Sequence, residues 1–137
     1  MTEQLVPGFE IVLKEPFDQA IERVTSELKS EGFGILTRID VHKTLKEKLN
    51  EDFRQYAILG ACNPPLAFKA LSTEPMAGLI LPCNVTVESV PTGGSLIRIA
   101  NPLTMLSIGQ FTHPALHDVA QQATERLLRV AGALEQS

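Results

Sequence analysis

The sequence predicts an α+β fold in a single domain over residues 1–137, with a largely antiparallel sheet flanked by helices and a long C-terminal helix. The chain is long enough, and with 44% hydrophobic residues apolar enough, to bury one core without a metal or disulfides. Short strand-like segments alternate with amphipathic segments, and no low-complexity stretch or long linker divides them. One α+β domain is therefore the economical interpretation.

The N-terminal segment predicts a strand followed by a helix. Residues 9–13 alternate like a strand, and Pro16 suits the start of a helix. Gly32 supplies the end of that helix. Apolar residues recur between them at helical spacing, which predicts one buried stripe: Phe17, Ala20, Ile21, Val24 and Leu28.

The next segments alternate between strand and helix. Residues 33–41 are rich in β-branched and apolar residues and predict a strand, whereas the charged residues 42–50 fit two helical turns. Residues 56–59 predict another strand, which runs into Gly60. Asn63-Pro64 then predicts a helix start, because the asparagine can cap a free N–H and the proline needs none.

The middle of the chain predicts a β-hairpin. After a break at Pro75 and Gly78, residues 79–90 look like a strand apart from Pro82. Because proline cannot donate to a sheet, Pro82 predicts a bulge or an edge position. The turn residues of 91–94 then return the chain as residues 95–100.

Two helices are predicted to complete the domain. Asn101-Pro102 repeats the helix-start pattern for a brief turn, and a long final helix begins near Pro114. The final helix carries an apolar stripe at spacings of four and three: Leu116, Ala120, Ala123, Leu127, Val130 and Leu134.

Composition and charge exclude several function classes. The formal net charge is −4, so there is no basic excess to neutralise phosphates, and nucleic acid is not an expected partner. No segment reaches the roughly 18 apolar residues of a membrane span, and no basic and apolar leader precedes the domain. We therefore expect a cytoplasmic protein without membrane contact, in which both cysteines are free thiols.

Four segments resemble a known family, the one catalogued as domain of unknown function 302. They are EGFGILTRIDV at 31–41, LKEKL at 45–49, YAILGACNPPLAFKAL at 56–71 and GLILPCNVTV at 78–87. The resemblance implies a small α+β fold that is usually a homodimer in bacteria and archaea, so the expected partner is a second copy of this chain. It implies no activity and no cofactor. The family often has Asp-Pro where this chain has Asn101-Pro102, which argues against a catalytic carboxylate at that position.

The candidate site is the pair of Cys-Asn motifs, Cys62-Asn63 and Cys83-Asn84. Each cysteine follows or ends an apolar segment, so each can simply fill buried space. Alternatively, both motifs lie at adjacent strand ends and line one pocket. A thiol at Cys62 would then lie near the positive end of the helix that starts at Pro64, which would lower its pKa. Cys62 and Cys83 are thus candidate catalytic or sulfur-carrying residues.

The two asparagines differ in what they predict. Asn63 is explained as a helix cap. Asn84 lies in a predicted strand, where asparagine is unfavoured, so its amide needs a partner in a turn, a bulge, the Asn63 region or a ligand. We predict that Cys62 and Cys83 lie in one neighbourhood near the start of the helix at Pro64, with Asn84 hydrogen-bonded to backbone near Asn63.

Charged and metal-binding candidates are weaker. Lys69 and Arg98 are either solvated surface charges or cations for an anionic ligand near the Cys-Asn motifs. His113 and His117 are four residues apart, a spacing that suits two metal ligands on one helix, but Pro114 disfavours a helical His113. No metal is therefore expected.

Three functions remain open. The first is a homodimeric binding module for a small ligand or a protein segment, with a site formed by Cys62, Asn63, Lys69, Cys83 and Asn84. The second is a thiol-dependent enzyme or a sulfur or redox carrier that uses both cysteines. The third is a purely structural dimer. The chain contains no nucleophile elbow, phosphate loop or diagnostic acid pair.

Overall fold

A computed structural model describes residues 6–136, and within that range the chain folds into one α+β domain. The strands are β1 (Gly8–Leu13), β2 (Gly34–Asp40), β3 (Tyr56–Cys62), β4 (Cys83–Ser89) and β5 (Ser95–Ala100). The helices are α1 (Phe17–Ser30), α2 (Val41–Leu49), α3 (Pro64–Thr73), α4 (Pro102–Ile108) and α5 (Pro114–Glu135), and a 3₁₀ helix covers Pro75–Leu79. Residues 1–5 and 137 of the predicted domain lie outside the described residues.

The five strands form one antiparallel sheet in the order β1-β5-β4-β3-β2. Each pair of neighbours is antiparallel, and β1 and β2 are the two edge strands. Helix α1 connects these edge strands and therefore crosses the whole sheet. The predicted α+β class, antiparallel sheet and long C-terminal helix are confirmed.

The main core lies between one face of the sheet and helices α1 and α5. Both predicted helical stripes are buried there or in a smaller neighbouring cluster. Burying side chains of this size contributes about 1.5–3 kcal/mol each, so these two helices are held by packing on the sheet. Their largest fully buried members are Leu28, Val24, Leu127, Val130 and Leu134.

A smaller hydrophobic cluster lies beside the main core, between α3, the 3₁₀ helix, α4 and α5. Its buried residues are mostly small. They are Ala70, Ala77, Leu106, Leu116 and Ala120. The candidate site lies in the gap between these two clusters.

The predicted strand over residues 79–90 is wrong at its start. Strand β4 begins only at Cys83, because the chain before it forms the 3₁₀ helix and because Pro82 has no N–H to donate to the sheet. Pro82 therefore precedes β4 instead of forming a bulge, and β4 is an interior strand between β3 and β5. The apolar run itself could not reveal this difference.

Two asparagine caps start the helices that were predicted from Asn-Pro. The Asn63 side chain accepts from the Leu66 N–H at 3.3 Å, and that of Asn101 accepts from the Leu103 N–H at 3.1 Å. Both predictions are confirmed, because a cap needs only local geometry. None of the helices within residues 6–136 is long and apolar enough to cross a membrane.

Candidate functional site

A cavity of about 300 Å³ lies at one end of the sheet, between the main core and the smaller cluster. The ends of β3 and β4 form one wall, and α3, α4, α5 and the 3₁₀ helix form the others. Phe33 and Ala61 belong to the main core and line it on one side, whereas Leu106 and Leu116 line it from the smaller cluster. The cavity thus fills the space that neither cluster closes.

Small side chains explain why this space is open. Seven of the lining residues are alanines, and each presents only a methyl group where a larger residue would fill the gap. Interiors normally pack without voids of this size, so the concentration of alanine is the local cause of the cavity. The seven are Ala61, Ala67, Ala70, Ala77, Ala100, Ala120 and Ala123.

Both cysteines line this cavity, so they lie in one neighbourhood as predicted. They lie on opposite faces of the sheet, however, so the prediction that the two Cys-Asn motifs converge as one thiol site is wrong. Cys83 is paired with Ala61, and both side chains face the core. Cys62 follows Ala61 along β3, so its side chain faces the other side of the sheet. Both residues contribute to the cavity wall at the end of β3 and the start of β4.

The Cys83 thiol is unsuited to thiolate chemistry at neutral pH. Burial, together with a smaller effect of the neighbouring Cys62, raises its pKa from 9.0 to about 11. The thiol therefore stays protonated at neutral pH and acts there as a small, weakly polar group. Both cysteines are free thiols.

Asn63 is buried, and its polar atoms serve the fold. Its Oδ1 caps α3, and its Nδ2 donates to the Glu31 carbonyl at 3.5 Å. Gly32 makes room for this contact, because a Cβ at that position would lie 2.9 Å from Asn63 Nδ2, and its φ of +86° also favours glycine. Asn63 lines the cavity mainly as a structural residue.

The predicted partner of Asn84 is wrong. Its side chain is exposed at the cavity and makes no hydrogen bond within residues 6–136. The pleat of β4 explains the difference: Val85 and Val87 face the core, so Asn84, which is paired with Gly60, points to the other side of the sheet. Water can then satisfy the amide that an inward orientation would have left unpaired. Asn84 remains a lining residue at the edge of the cavity.

The two candidate cations lie away from the cavity lining. Lys69 forms an ion pair with Asp118 at 3.1 Å across α3 and α5. Arg98 lies on the outer face of the sheet, where it pairs with Glu10 at 2.8 Å and with Glu88. Neither position supports a contact with a ligand in the cavity.

The two candidate metal ligands also lie apart from this site. His113 is the N-cap of α5, where its Nδ1 accepts from the Ala115 N–H at 3.0 Å, and His117 is exposed one turn later. As Pro114 indicated, His113 is not helical. Among residues 6–136, no three His, Cys, Asp or Glu side chains lie close enough together to hold a metal ion.

Most of the cavity was missed by sequence reasoning. The segment with Leu79, Ile80 and Leu81, together with Met105 and Val119, lines it but carries no chemical motif. A weak signal was present: alanines recur in α3 and α5 at the positions that face each other across the cavity. The alanines indicate a cavity only once the packing of α3 against α5 is known.

The chain matches the domain of unknown function DUF302 over residues 9–134. It belongs to the DUF302 family. The crystal structure of an uncharacterized conserved DUF302 protein from Bacillus stearothermophilus is similar, with a TM-score of 0.82 and 29% sequence identity. The alignment covers 93% of this chain and 97% of the DUF302 protein from Bacillus. No protein of curated function matches the sequence.

Proposed function

We propose that this DUF302 protein is a cytoplasmic, homodimeric binding module that holds a small molecule in the cavity at the end of its sheet. The single observation that supports the proposal is the cavity itself, which has a volume of about 300 Å³ and is lined by both Cys-Asn motifs. Sites for small molecules are typically apolar concavities of this size or larger with a few polar groups.

The lining matches that description. Aliphatic and aromatic side chains make up most of the surface, and the polar groups are concentrated at the Cys-Asn motifs. Leu79, which is 77% exposed, and the exposed Asn84 lie at the mouth, whereas Ala70 and Leu116 lie at the buried end. A ligand would therefore enter past the segment before β4.

A small molecule fits this space better than a protein segment does. The volume is near the lower end of the range for small-molecule pockets, and the far side is closed by buried residues of α3, α4 and α5. An extended segment or a helix needs an open groove along its length. A protein partner thus has less support than a small ligand.

Binding of the neutral dye N-phenyl-1-naphthylamine tests the proposal. The wild-type protein should enhance its fluorescence with one site per chain, and Ala67→Phe should weaken binding at least tenfold by filling the cavity from α3. Met105→Trp provides a second block from α4. Ala133→Phe is the matched control, since Ala133 lies on α5 outside the lining, about 15 Å along the helix from Ala123.

Two results would overturn this function. One is the absence of saturable dye binding to the wild-type protein. The other is equal binding by wild type, Ala67→Phe and Met105→Trp in variants that remain folded by circular dichroism, because the dye would then bind elsewhere on the surface.

The homodimer is supported by apolar side chains on the edge strand β2. Leu36 is 67% exposed and Ile39 is 50% exposed, and the open edge offers unpaired backbone groups to a second chain. Exposed edges of this kind are usually covered or paired. The cytoplasmic location is supported by the two free cysteines, which suit a reducing compartment.

A further inference from the structure

The described part of the cavity wall has no charged side chain, since none of its lining residues within 6–136 is Asp, Glu, Lys, Arg or His. Lys69 is held outside the lining in its ion pair with Asp118. A ligand charge inside the cavity would therefore meet no counter-charge from a side chain.

The start of α3 offers no free N–H group to compensate. Pro64 and Pro65 have no N–H, and the next N–H, that of Leu66, donates to Asn63 Oδ1 at 3.3 Å. The N–H of Ala67 donates to the Asn63 carbonyl at 2.9 Å. A helix N-terminus binds anions through free N–H groups, and here the first four positions have none to offer.

The start of α4 at the same cavity is closed in a similar way. Pro102 lacks an N–H, and the Leu103 N–H donates to Asn101 Oδ1 at 3.1 Å. The N–H of Met105 donates to the Asn101 carbonyl, also at 3.1 Å. The starts of α3 and α4 are thus each capped by an asparagine that is followed by proline.

Two polar groups of the lining, those of Cys83 and Asn84, are neutral. The Cys83 thiol is protonated at neutral pH, as described above, and the Asn84 amide is uncharged and lies free at the mouth. Placing an unpaired charge against such a lining is costly, because water is removed and nothing replaces it. An amide at the mouth can nevertheless exchange hydrogen bonds with a neutral polar group.

We infer that the cavity selects an uncharged, mainly apolar molecule, such as an alcohol or a primary amide with an aliphatic body, and discriminates against carboxylates and phosphates. The aliphatic body lies among the alanines, and the neutral polar end lies beside Asn84 at the mouth. This inference rests on the proposed function, since it names the class of ligand for the same cavity.

Titration calorimetry with three eight-carbon probes tests the charge preference. Octanamide and octanoate have nearly the same shape and differ in charge, and 1-octanol adds a second neutral polar group. At neutral pH, octanamide and 1-octanol should bind at least tenfold more tightly than octanoate. Ala67→Phe should abolish binding of both neutral probes, whereas Ala133→Phe should retain it.

A designed cation tests the cause of the preference. Leu79→Lys places an ammonium group at the exposed mouth and should strengthen octanoate binding at least fivefold, with little change for octanamide. Leu128→Lys adds the same charge at an exposed position of α5 outside the lining and should change neither. A gain limited to Leu79→Lys identifies the missing counter-charge as the cause.

The outcomes separate this inference from the proposed function. Equal binding of octanoate and octanamide to the wild-type cavity, lost in Ala67→Phe, would overturn the charge preference and leave the binding module in place. Failure of the neutral probes in a protein that still binds the naphthylamine dye would also overturn the inference. Failure of every probe and of the dye would overturn both.

Discussion

Glu88 is the most constrained charge on the outer face of the sheet. Its carboxylate is buried, and it accepts hydrogen bonds from Arg54 and Arg98. Burial acts to raise the pKa of the Glu88 carboxyl. The hydrogen bonds from Arg54 and Arg98 outweigh burial and hold this pKa below its ordinary value of 4.5. The charged form is therefore favoured in the folded protein.

Glu88→Gln should lower the free energy of unfolding by about 2 kcal/mol at pH 7, because it removes two charge-assisted hydrogen bonds from a buried position. The folded pKa is depressed, so the stabilisation is complete above about pH 4.5 and is lost as the pH falls through the lower folded pKa. Urea unfolding from pH 7 to pH 3 should show the two stability curves converging. A constant difference at all pH values would contradict this mechanism.

Glu10→Gln is the matched control for Glu88. Glu10 also pairs with Arg98, at 2.8 Å, but it is exposed on the edge strand. Exposed ion pairs contribute about 0–1 kcal/mol, so this variant should change stability by less than half as much as Glu88→Gln.

The Cys83 thiol should react slowly. With its pKa raised from 9.0 to about 11, the thiolate fraction at pH 8 is about a hundredfold smaller than in the unfolded chain. We expect iodoacetamide to modify Cys83 in a Cys62→Ala variant at least tenfold more slowly when folded than in urea. The folded rate should keep rising with pH beyond pH 9.

The same measurement tests the thiol-dependent alternative. In the reciprocal variant, Cys83→Ala, the alkylation rate reports on Cys62 alone. Faster modification of either native thiol than of its unfolded control would favour the enzyme or carrier. Slow modification of both would leave the cysteines as neutral lining groups.

At the scale of secondary structure, Asn63 links the start of α3 to the end of α1. It caps α3 and donates to the Glu31 carbonyl, which also accepts from Arg126 of α5 at 3.2 Å. Three helices thus meet around one loop, and Arg129 adds an ion pair to the Glu31 carboxylate at 3.0 Å. The cavity wall formed by α3 depends on this junction.

Asn63→Ala should reduce the free energy of unfolding by about 1–2 kcal/mol, because it removes both the cap and the bond to Glu31. Asn63→Ser keeps a neutral capping acceptor and loses the amide donor to Glu31, so it should cost less than Asn63→Ala. Chemical denaturation of the two variants measures the difference. Equal losses would show that the cap contributes nothing measurable.

The elements that sequence reasoning predicted correctly depend on local chemistry. The Asn-Pro starts at Asn63 and Asn101 were found because a cap involves only three or four neighbouring residues. The stripe of α5 was found because helical periodicity shows which residues are buried. The fold class followed from the alternation of such elements.

The errors concern residues whose environment depends on distant segments. The apolar residues before Cys83 were predicted as a strand, because hydrophobicity alone does not separate a short 3₁₀ helix from a strand. The outward orientation of Asn84 depends on its register with Gly60. The cavity depends on how α3, α4 and α5 meet, which no single stretch of sequence encodes.

At the scale of the whole molecule, we expect a dimer of about 30 kDa, twice the chain mass of 15.0 kDa. The reason is the exposed apolar surface on the open edge of β2. Light scattering across a dilution series at micromolar concentration measures the mass. Leu36→Lys combined with Ile39→Lys should shift the protein toward monomer, whereas Leu128→Lys should not.

A single species of 15.0 kDa for the wild-type protein at micromolar concentration would count against the dimer. Dimerisation that survives the double substitution would place the interface elsewhere, since two new charges on an edge strand disfavour pairing there.

The pairing of β1 with β5 sets the order in which a nascent chain can complete its sheet. Gly8 is paired with Ala100 and Leu13 with Ser95, so β1 leaves the ribosome before the other described strands but can pair only after β5 has been made. Until then, its apolar face has no strand beside it, and the final helix that covers the core is later still. Closing such distant contacts is slow, and partly made chains expose hydrophobic surface in the meantime. The N-terminal strand is thus the part of this domain that most needs shielding during synthesis.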